Sequence, residues 1–266
     1  MAELRPRVWV SQPLFDDVIA RLDRFFEVMS TREVAQHSPA EVAAALAGVD
    51  GALVTLNEHI GPAEIAGAST LKAIANVGVG YNNLDLGALS GAGIVATNTP
   101  DVLTETTADF GFALLMAAAR RISESERWLR EGQWRQWSFQ SMLGADLHRS
   151  TLGILGMGRI GRGIARRASG FDMEVLYHNR TRLSGAVEQE ARASYVDFDT
   201  LLGRADHLML VLPYSKDSHH VIDARALAKM KPTATLVNIA RGGIVDEDAL
   251  AEALGNRRLA AAGLDV

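Results

Sequence analysis

The sequence predicts an α/β protein with two doubly wound parallel sheets, and three observations support this prediction. Short apolar runs alternate with longer stretches in which apolar residues recur every three or four positions. One long helical stretch, residues 102–132, separates two such alternating regions. A glycine-rich turn stands between a strand and a helix in the second region. Alternation of strand and helix favours parallel sheets, because each crossover helix covers one face of the sheet.

Nine apolar runs have the length and the flanking turn residues of buried strands. Polar residues mark where helices begin, as at Asp223, which is placed to cap a helix that ends before Pro232. The acidic run Asp246–Asp248 is expected to open another helix rather than to bind a metal ion. A hinge at Thr97–Pro100 would divide the chain into residues 1–98 and 99–266. The strands are expected at Val8–Val10, Ala52–Thr55, Leu71–Asn76, Ile94–Thr97, Leu152–Leu155, Val175–Tyr177, Leu208–Leu212, Thr235–Ile239 and Ala261–Val266.

The composition excludes several classes of protein. With 48% hydrophobic and 22% charged residues, the 266-residue chain has enough apolar material for two cores and is neither disordered nor fibrous. A net charge of −5 gives no general attraction to nucleic acid or to anionic membranes. The absence of cysteine excludes disulfides and thiolate metal sites. No apolar stretch approaches the ~20 residues of a membrane span, so we expect a soluble, cytoplasmic protein.

The most informative motif is a GxGxxG sequence between the strand Leu152–Leu155 and the helix that follows it. Gly156 would permit a tight turn, Gly158 would allow the backbone to approach a pyrophosphate, and Gly161 would let the helix pack closely on the strand. The first residues of that helix, Arg159 and Ile160, would present backbone N–H groups to the anion. The motif therefore predicts dinucleotide binding, and the alternative is a purely structural turn.

The residues after the next strand indicate which dinucleotide is bound. A site for NAD usually places an acidic residue there to bind the ribose 2′-hydroxyl. Here the segment His178, Asn179, Arg180, Thr181 and Arg182 has no carboxylate and carries two guanidinium groups, which suit a 2′-phosphate. We therefore expect NADPH as the cofactor, with NAD as the alternative. The basic residues could also form an exposed loop with no role in binding.

Four segments, taken in order, resemble the D-isomer-specific 2-hydroxyacid dehydrogenases. The resemblance extends over almost the whole chain and implies a flavodoxin-like substrate domain followed by a Rossmann cofactor domain. The basic segment after the second strand looks most like that of the NADPH-dependent glyoxylate/hydroxypyruvate reductases and 2-ketogluconate reductases. The four segments are Asn76–Asp85, Thr99–Asp109, Asn238–Asp246 and Ala260–Val266.

The resemblance also implies a role for individual residues. The backbone N–H groups of Val79 and Gly80 would bind the substrate carboxylate. Arg241 would pair with that carboxylate and polarise the keto oxygen, and it is the expected catalytic residue. Asp265 would orient the nicotinamide by accepting from its carboxamide. The remaining residues expected to line the cofactor site are Thr107, Leu212, Pro213 and Ile239.

The resemblance further implies a histidine proton donor and a glutamate that tunes it, both after the segment Ala260–Val266. None of the seven histidines of the chain matches that acid, and each is expected to be structural or at the surface. We therefore expect the chain to belong to a longer protein, and severely impaired catalysis if Val266 is its true end. The histidines are His37, His59, His148, His178, His207, His219 and His220.

These features predict reduction of a small 2-keto acid to the D-2-hydroxy acid by hydride transfer from NADPH. A homodimer is expected, as in the family. We expect no metal site. Two alternatives stay open at this point. The first is a formate, phosphite or phosphoglycerate dehydrogenase of the same superfamily. The second is a dinucleotide-sensing, corepressor-like protein without catalytic activity.

Overall fold

The computed structural model describes residues 5–266. The chain forms two compact units, Met1–Val102 and Leu103–Val266, each built around its own parallel sheet. Among the described residues, no helix combines the length and the apolar character needed to cross a membrane.

The first unit is a five-stranded parallel sheet with the strand order β2-β1-β3-β4-β5, which is the flavodoxin-like order. Its core consists of apolar residues from the strands and the covering helices, among them Val54, Ile60, Ile74 and Leu89. The elements are β1 (Arg7–Val10), α1 (Asp16–Leu22), β2 (Glu27–Ser30), α2 (Pro39–Leu46), β3 (Gly51–Val54), α3 (Pro62–Ile65), β4 (Ala73–Asn76), α4 (Leu86–Gly91) and β5 (Val95–Thr97).

The second unit is a six-stranded parallel sheet with the order β11-β10-β9-β6-β7-β8, which is the Rossmann order. Short 3-10 turns at Ser169–Phe171, Lys216–Ser218 and Gly242–Ile244 connect some of its elements. The elements are α5 (Thr104–Ala119), α6 (Ile122–Arg130), β6 (Thr151–Leu155), α7 (Arg159–Ala168), β7 (Glu174–His178), α8 (Gly185–Ala191), β8 (Ala193–Tyr195), α9 (Phe198–Arg204), β9 (His207–Leu210), α10 (Ala224–Lys229), β10 (Thr235–Asn238), α11 (Glu247–Gly255) and β11 (Ala261–Leu264).

The predicted fold class is confirmed, and the structure corrects the set of strands. The sequence analysis missed β2 and β8, the strands at one edge of each sheet. Edge strands bury little surface: three of the four residues of β2 are exposed, and β8 has only three residues. Neither therefore shows the apolar run by which the other strands were found.

Several predicted strands also extend too far at their carboxyl ends. The strand expected at Leu208–Leu212 is β9, which ends at Leu210, and the strand expected at Ala261–Val266 is β11, which ends at Leu264. In both cases the residues that follow the last paired residue of the strand belong to loops at the carboxyl edge of the sheet. The run Leu71–Asn76, in contrast, begins too early, because only its last four residues form β4.

The helical stretch between the two regions is two helices, α5 and α6, which meet at Arg121. That residue has a left-handed backbone with φ of 54°, so the chain cannot continue as one helix there. Both helix-capping predictions are confirmed, because Asp223 accepts from the N–H of Ala226 and Asp246 from the N–H of Ala249.

Small residues let α5 and α7 of the second unit approach each other closely. A Cβ atom at Gly163 of α7 would lie 2.9 Å from the Cβ of Ala108 of α5. The approach of the two helices therefore depends on glycine at position 163. Gly111 of α5 serves a different contact, because a Cβ there would lie 2.8 Å from Cδ1 of Ile239, which follows β10.

We expect Gly163→Ala to destabilise the protein, whereas Gly255→Ala at the end of α11 should not. Overpacking against the fixed methyl group of Ala108 costs about 1–3 kcal/mol. A Cβ at Gly255 would meet nothing within 4 Å, so its variant should gain the higher helix propensity of alanine, at most about 1 kcal/mol. Urea unfolding of the two variants measures the difference, and equal midpoints would contradict the close approach.

Candidate active site

The candidate cofactor site lies at the carboxyl edge of the second sheet, where the strand order reverses between β6 and β9. Ligands of doubly wound sheets bind at such points. The turn after β6 contains Gly156, whose φ is +104°. A Cβ there would lie 2.7 Å from the backbone nitrogen of Leu212 and 2.8 Å from the backbone carbon of Val211. The glycine-rich turn and the loop after β9 are therefore in backbone contact, which only glycine at position 156 permits.

The beginning of α7 combines close packing with an open surface. A Cβ at Gly161 would lie 2.5 Å from the carbonyl oxygen of Gly156, so the helix rests directly on the turn. Around Gly158, in contrast, a Cβ would meet nothing within 4 Å. No side chain caps this helix, and among residues 5–266 the N–H groups of Ile160 and Gly161 have no hydrogen-bond partner.

These features fit the pyrophosphate of a dinucleotide. The uncapped end of α7 carries the partial positive charge of a helix N-terminus, and its free N–H groups can donate to phosphate oxygens. The space at Gly158 allows the ligand to approach the backbone. The spacing of the three glycines specifies both the turn and the helix start, and the role of these residues in cofactor binding stays a prediction.

The first two residues of the predicted ribose segment, His178 and Asn179, connect the end of β7 to neighbouring loops of the candidate site. The Oδ1 atom of Asn179 accepts a hydrogen bond of 2.7 Å from the N–H of Met157, which ties the end of β7 to the glycine-rich turn. Nδ1 of His178 lies 2.9 Å from the carbonyl oxygen of Val196, and the imidazole stacks on Tyr195. Both side chains are half-buried, and these contacts fix their orientation.

The structure adds a carboxylate that the sequence analysis missed. Arg182 forms two hydrogen bonds with Glu188 of α8, at 2.8 and 2.9 Å. Arg182 and the hydroxyl of Tyr177 both donate to Glu188 and lower its pKa to about 2, so the carboxylate is ionised at neutral pH. Burial and the same carboxylate raise the pKa of Tyr177 to about 12. The positive charge of Arg182 is therefore offset, and no spacing rule links residues six apart to reveal this from sequence.

The other residues of the ribose segment, Arg180 and Thr181, are exposed. Within residues 5–266, Arg180 forms no ion pair, in contrast to Arg182. It is therefore the arginine of this segment whose charge is available to a ligand.

Asn238 organises the carboxyl ends of β10 and β11, where Arg241 and Asp265 are found. Its buried side chain donates to the carbonyl oxygen of Arg241 at 2.9 Å and accepts from the N–H of Ala240 at 3.0 Å. Its own carbonyl oxygen accepts from the N–H of Asp265, also at 3.0 Å. Both charged residues thus lie at the edge of the sheet where the glycine-rich turn is found.

In the turn after Arg241, Gly243 lies close to the ring of Tyr214, which a Cβ at this position would approach to 2.8 Å. Nη1 of the Arg241 guanidinium donates to the carbonyl oxygen of Ala240 at 2.7 Å, which holds the end of the side chain near the carboxyl end of β10. The half-buried Leu212 and the exposed Pro213 follow β9, next to Gly156. Thr107 lies half-buried in α5, whereas Ile239 packs into the core against Gly111.

The first unit contains the predicted substrate loop, in which Val79 and Gly80 are half-buried. The loop follows β4 and is closed by the side chain of Asn76, which donates to the carbonyl oxygen of Gly80 at 2.8 Å. Asn83, also buried, donates to Oδ1 of Asn76 at 3.1 Å. The end of β4 therefore determines the shape of the loop.

A buried carboxylate, Glu58, lies where the strand order of the first sheet reverses between β1 and β3. It accepts from Oγ of Ser11 at 2.7 Å, from Nε2 of Gln12 at 2.8 Å and from the N–H of Thr55 at 2.8 Å. Burial raises the pKa of Glu58, but these hydrogen bonds outweigh it and hold the pKa below its usual value. Glu58 thereby joins the carboxyl ends of the two strands. The described residues contain no group of three or more His, Asp or Glu side chains that could hold a metal ion.

Comparison with known proteins identifies the family. The model of the D-isomer specific 2-hydroxyacid dehydrogenase, NAD binding domain, matches residues 112–266. The glyoxylate reductase of Thermococcus onnurineus is 41% identical over 267 residues, which cover 99% of this chain and 80% of that protein. The chain belongs to the D-isomer specific 2-hydroxyacid dehydrogenase family. This 2-hydroxyacid dehydrogenase is therefore an NAD(P)-dependent enzyme, and the glycine-rich turn lies within its NAD-binding domain.

Two further relatives extend the comparison of this 2-hydroxyacid dehydrogenase. Glyoxylate/hydroxypyruvate reductase B of Enterobacter agglomerans is 41% identical over 264 residues, covering 99% of this chain and 81% of that protein. The crystal structure of a glyoxylate reductase from Paecilomyes thermophila has a TM-score of 0.85 at 32% identity, covering 98% of this chain and 81% of that one.

The two glycines at the start of α7 provide a test of cofactor binding that is separate from folding. We expect Gly158→Ala to change stability by less than about 1 kcal/mol, because its Cβ would enter open space. It should nevertheless raise the Kd of NADPH at least tenfold, because the methyl group would occupy the surface that the pyrophosphate approaches. Gly161→Ala should instead destabilise the protein by about 2 kcal/mol or more, through its clash with Gly156.

Fluorescence titration with NADPH and urea unfolding of both variants measure these effects. Unchanged NADPH affinity in a folded Gly158→Ala protein would show that the dinucleotide binds elsewhere.

Proposed function

We propose that this protein reduces glyoxylate or hydroxypyruvate to the D-2-hydroxy acid with NADPH, and that 2-ketogluconate is a further candidate substrate. The observation that carries the proposal is an open, uncapped helix start beside a ribose segment with an available arginine, Arg180. The named activities of the 41% identical relatives support the choice of substrate. On this proposal residues 1–98 bind the keto acid and residues 99–266 bind the cofactor.

The residues of this chain bind and orient the reactants. The N–H groups of Val79 and Gly80 donate to the substrate carboxylate, and the guanidinium of Arg241 pairs with it and polarises the keto oxygen. Asp265 would accept from the nicotinamide carboxamide and so orient the ring. When bound, NADPH would supply the hydride for the keto carbon, and with a proton for the keto oxygen the keto acid, NADPH and H⁺ would give the hydroxy acid and NADP⁺.

The proposal is tested by measuring turnover of the full-length gene product, and the intact mass of the protein is determined on the same sample. We expect oxidation of NADPH with glyoxylate and hydroxypyruvate. We also expect Arg241→Gln to lower kcat/KM by about 10²–10³, because a charge that stabilises the transition state is lost. Reduction of NADP⁺ or NAD⁺ with only formate, phosphite or phosphoglycerate would contradict the substrate class. Tight NADPH binding without any turnover would favour a sensing role.

The preference for NADPH is the second part of the proposal and rests on Arg180. We expect Arg180→Gln to raise the Kd of NADPH about ten- to a hundredfold, the size of one lost hydrogen bond to a charged group, with little change for NADH. The matched control is Arg225→Gln, which removes an exposed arginine from α10. Equal losses for NADPH and NADH in Arg180→Gln would show that no 2′-phosphate is bound there.

We also propose a homodimer formed through the aromatic surface around α6. Leu129, Trp134, Trp137, Phe139 and Leu143 are 52–80% exposed, and the rings of Trp137 and Phe139 are 4.3 Å apart. Clustered apolar side chains of this size usually mark an interface.

Sedimentation analysis tests the homodimer. The protein should sediment at twice the chain mass, and Trp137→Glu should give the monomer. The control Phe25→Glu changes an equally exposed aromatic residue of the first unit and should leave the dimer intact. A wild-type monomer, or a dimer that survives Trp137→Glu, would rule out this interface.

A further inference from the structure

The substrate loop exposes two backbone N–H donors. Their direction is determined by hydrogen bonds to the carbonyl groups of the same peptide units. Among residues 5–266, the N–H groups of Val79 and Gly80 have no hydrogen-bond partner. The N–H of Gly78, one residue earlier, is bonded to the carbonyl oxygen of Asn76 at 3.0 Å. The N–H groups of Val79 and Gly80, the first after this bonded donor, are therefore available to an anion.

Both peptide units that carry these donors are held by the segment after β5. The N–H of Thr99 donates to the carbonyl oxygen of Gly78 at 3.0 Å. The side chain of Asn98 donates through Nδ2 to the carbonyl oxygen of Val79 at 2.8 Å. Neighbouring residues of one segment thus bind two successive carbonyl groups of the loop.

The planarity of the peptide bond converts these contacts into a direction for the N–H groups. Each unit is trans, because residues 5–266 contain no cis peptide bond, so its N–H points opposite to its carbonyl. The carbonyl of Gly78 shares a unit with the N–H of Val79, and the carbonyl of Val79 with the N–H of Gly80. Since both carbonyls face the Asn98–Thr99 segment, both N–H groups face away from it.

We propose that Asn98 is a positioning residue that aims the N–H of Gly80 at the substrate carboxylate. This inference rests on the proposed function, in which Val79 and Gly80 bind that carboxylate. Thr99 acts through its backbone and holds the neighbouring unit in the same way. The side chain of Asn98 binds the carbonyl oxygen of Val79, so that its effect on the carboxylate passes through one peptide group.

Loss of the Asn98 side chain should leave the remainder of the loop in place. Asn76 still binds the carbonyl oxygen of Gly80, and Thr99 still binds that of Gly78. The unit between Val79 and Gly80 would lose the donor that Asn98 supplies to its carbonyl and could rotate, so the second N–H would no longer be preorganised. The expected result is weaker carboxylate binding in a protein that folds normally.

The sequence provides a selective probe for this loop. The dipeptide Val-Gly occurs only twice in residues 1–266, as Val77-Gly78 and Val79-Gly80. Labelling with carbonyl-¹³C valine and ¹⁵N glycine therefore gives two amide signals from this region in a carbonyl-selected NMR spectrum. Gly80 reports on carboxylate binding. Gly78, whose N–H is already bonded, is the internal control.

The experiment titrates the full-length protein, saturated with NADP⁺, with oxamate, which resembles a 2-keto acid. In the wild type, we expect the Gly80 signal to shift saturably and the Gly78 signal to shift little. In Asn98→Ala and Asn98→Asp, neither of which can donate to the carbonyl of Val79, the Kd of oxamate should rise at least tenfold. The KM for glyoxylate should rise in parallel, with kcat and the Kd of NADPH nearly unchanged.

Controls separate this inference from folding and from the proposed function. Asn256→Ala, at the end of α11, should behave as the wild type, and urea midpoints identify a variant that fails to fold. Unchanged oxamate affinity in Asn98→Ala or Asn98→Asp would overturn the inference, as would a wild-type Gly80 signal that oxamate does not shift. A Gly80 shift that depends on Asn98, in a protein that reduces no keto acid, would support the inference while the proposed function fails.

Discussion

The second unit depends on one backbone contact, between the glycine-rich turn after β6 and the loop after β9. Gly156 has no room for a Cβ because the backbone of Leu212 lies against it. Gly161 has no room for a Cβ because the carbonyl oxygen of Gly156 lies against it. These two contacts bring α7 down onto the carboxyl edge of the sheet. The helix start then faces the space beside Gly158, where its unpaired N–H groups can bind an anion.

The same physical device occurs in both units of this 2-hydroxyacid dehydrogenase. Each presents consecutive backbone N–H groups that no side chain caps, at Ile160 and Gly161 in one unit and at Val79 and Gly80 in the other. Backbone donors cannot change rotamer, so they are preorganised for a charged ligand in a way that a lysine side chain is not. Side chains such as that of Asn98 contribute by fixing the peptide groups.

The sequence was sufficient for the fold class, because buried parallel strands are apolar along their whole length. It was also sufficient for the glycine-rich turn, whose spacing encodes steric requirements. It missed β2, β8 and the pairing of Arg182 with Glu188, because edge strands lack an apolar run and because an ion pair between α8 and a loop has no periodicity. The role of Asn98 could not be predicted either, since it depends on which carbonyl groups the fold places opposite it.

Hydrogen exchange measured by mass spectrometry tests most directly the claim that backbone N–H groups bind both ligands. The account predicts that NADP⁺ slows exchange in the peptide that contains residues 156–161. Oxamate, added to the NADP⁺ complex, should slow exchange in the peptide that contains residues 77–82. Slower exchange at other segments, with both of these unchanged, would contradict the account, because the ligands would then be held by different groups.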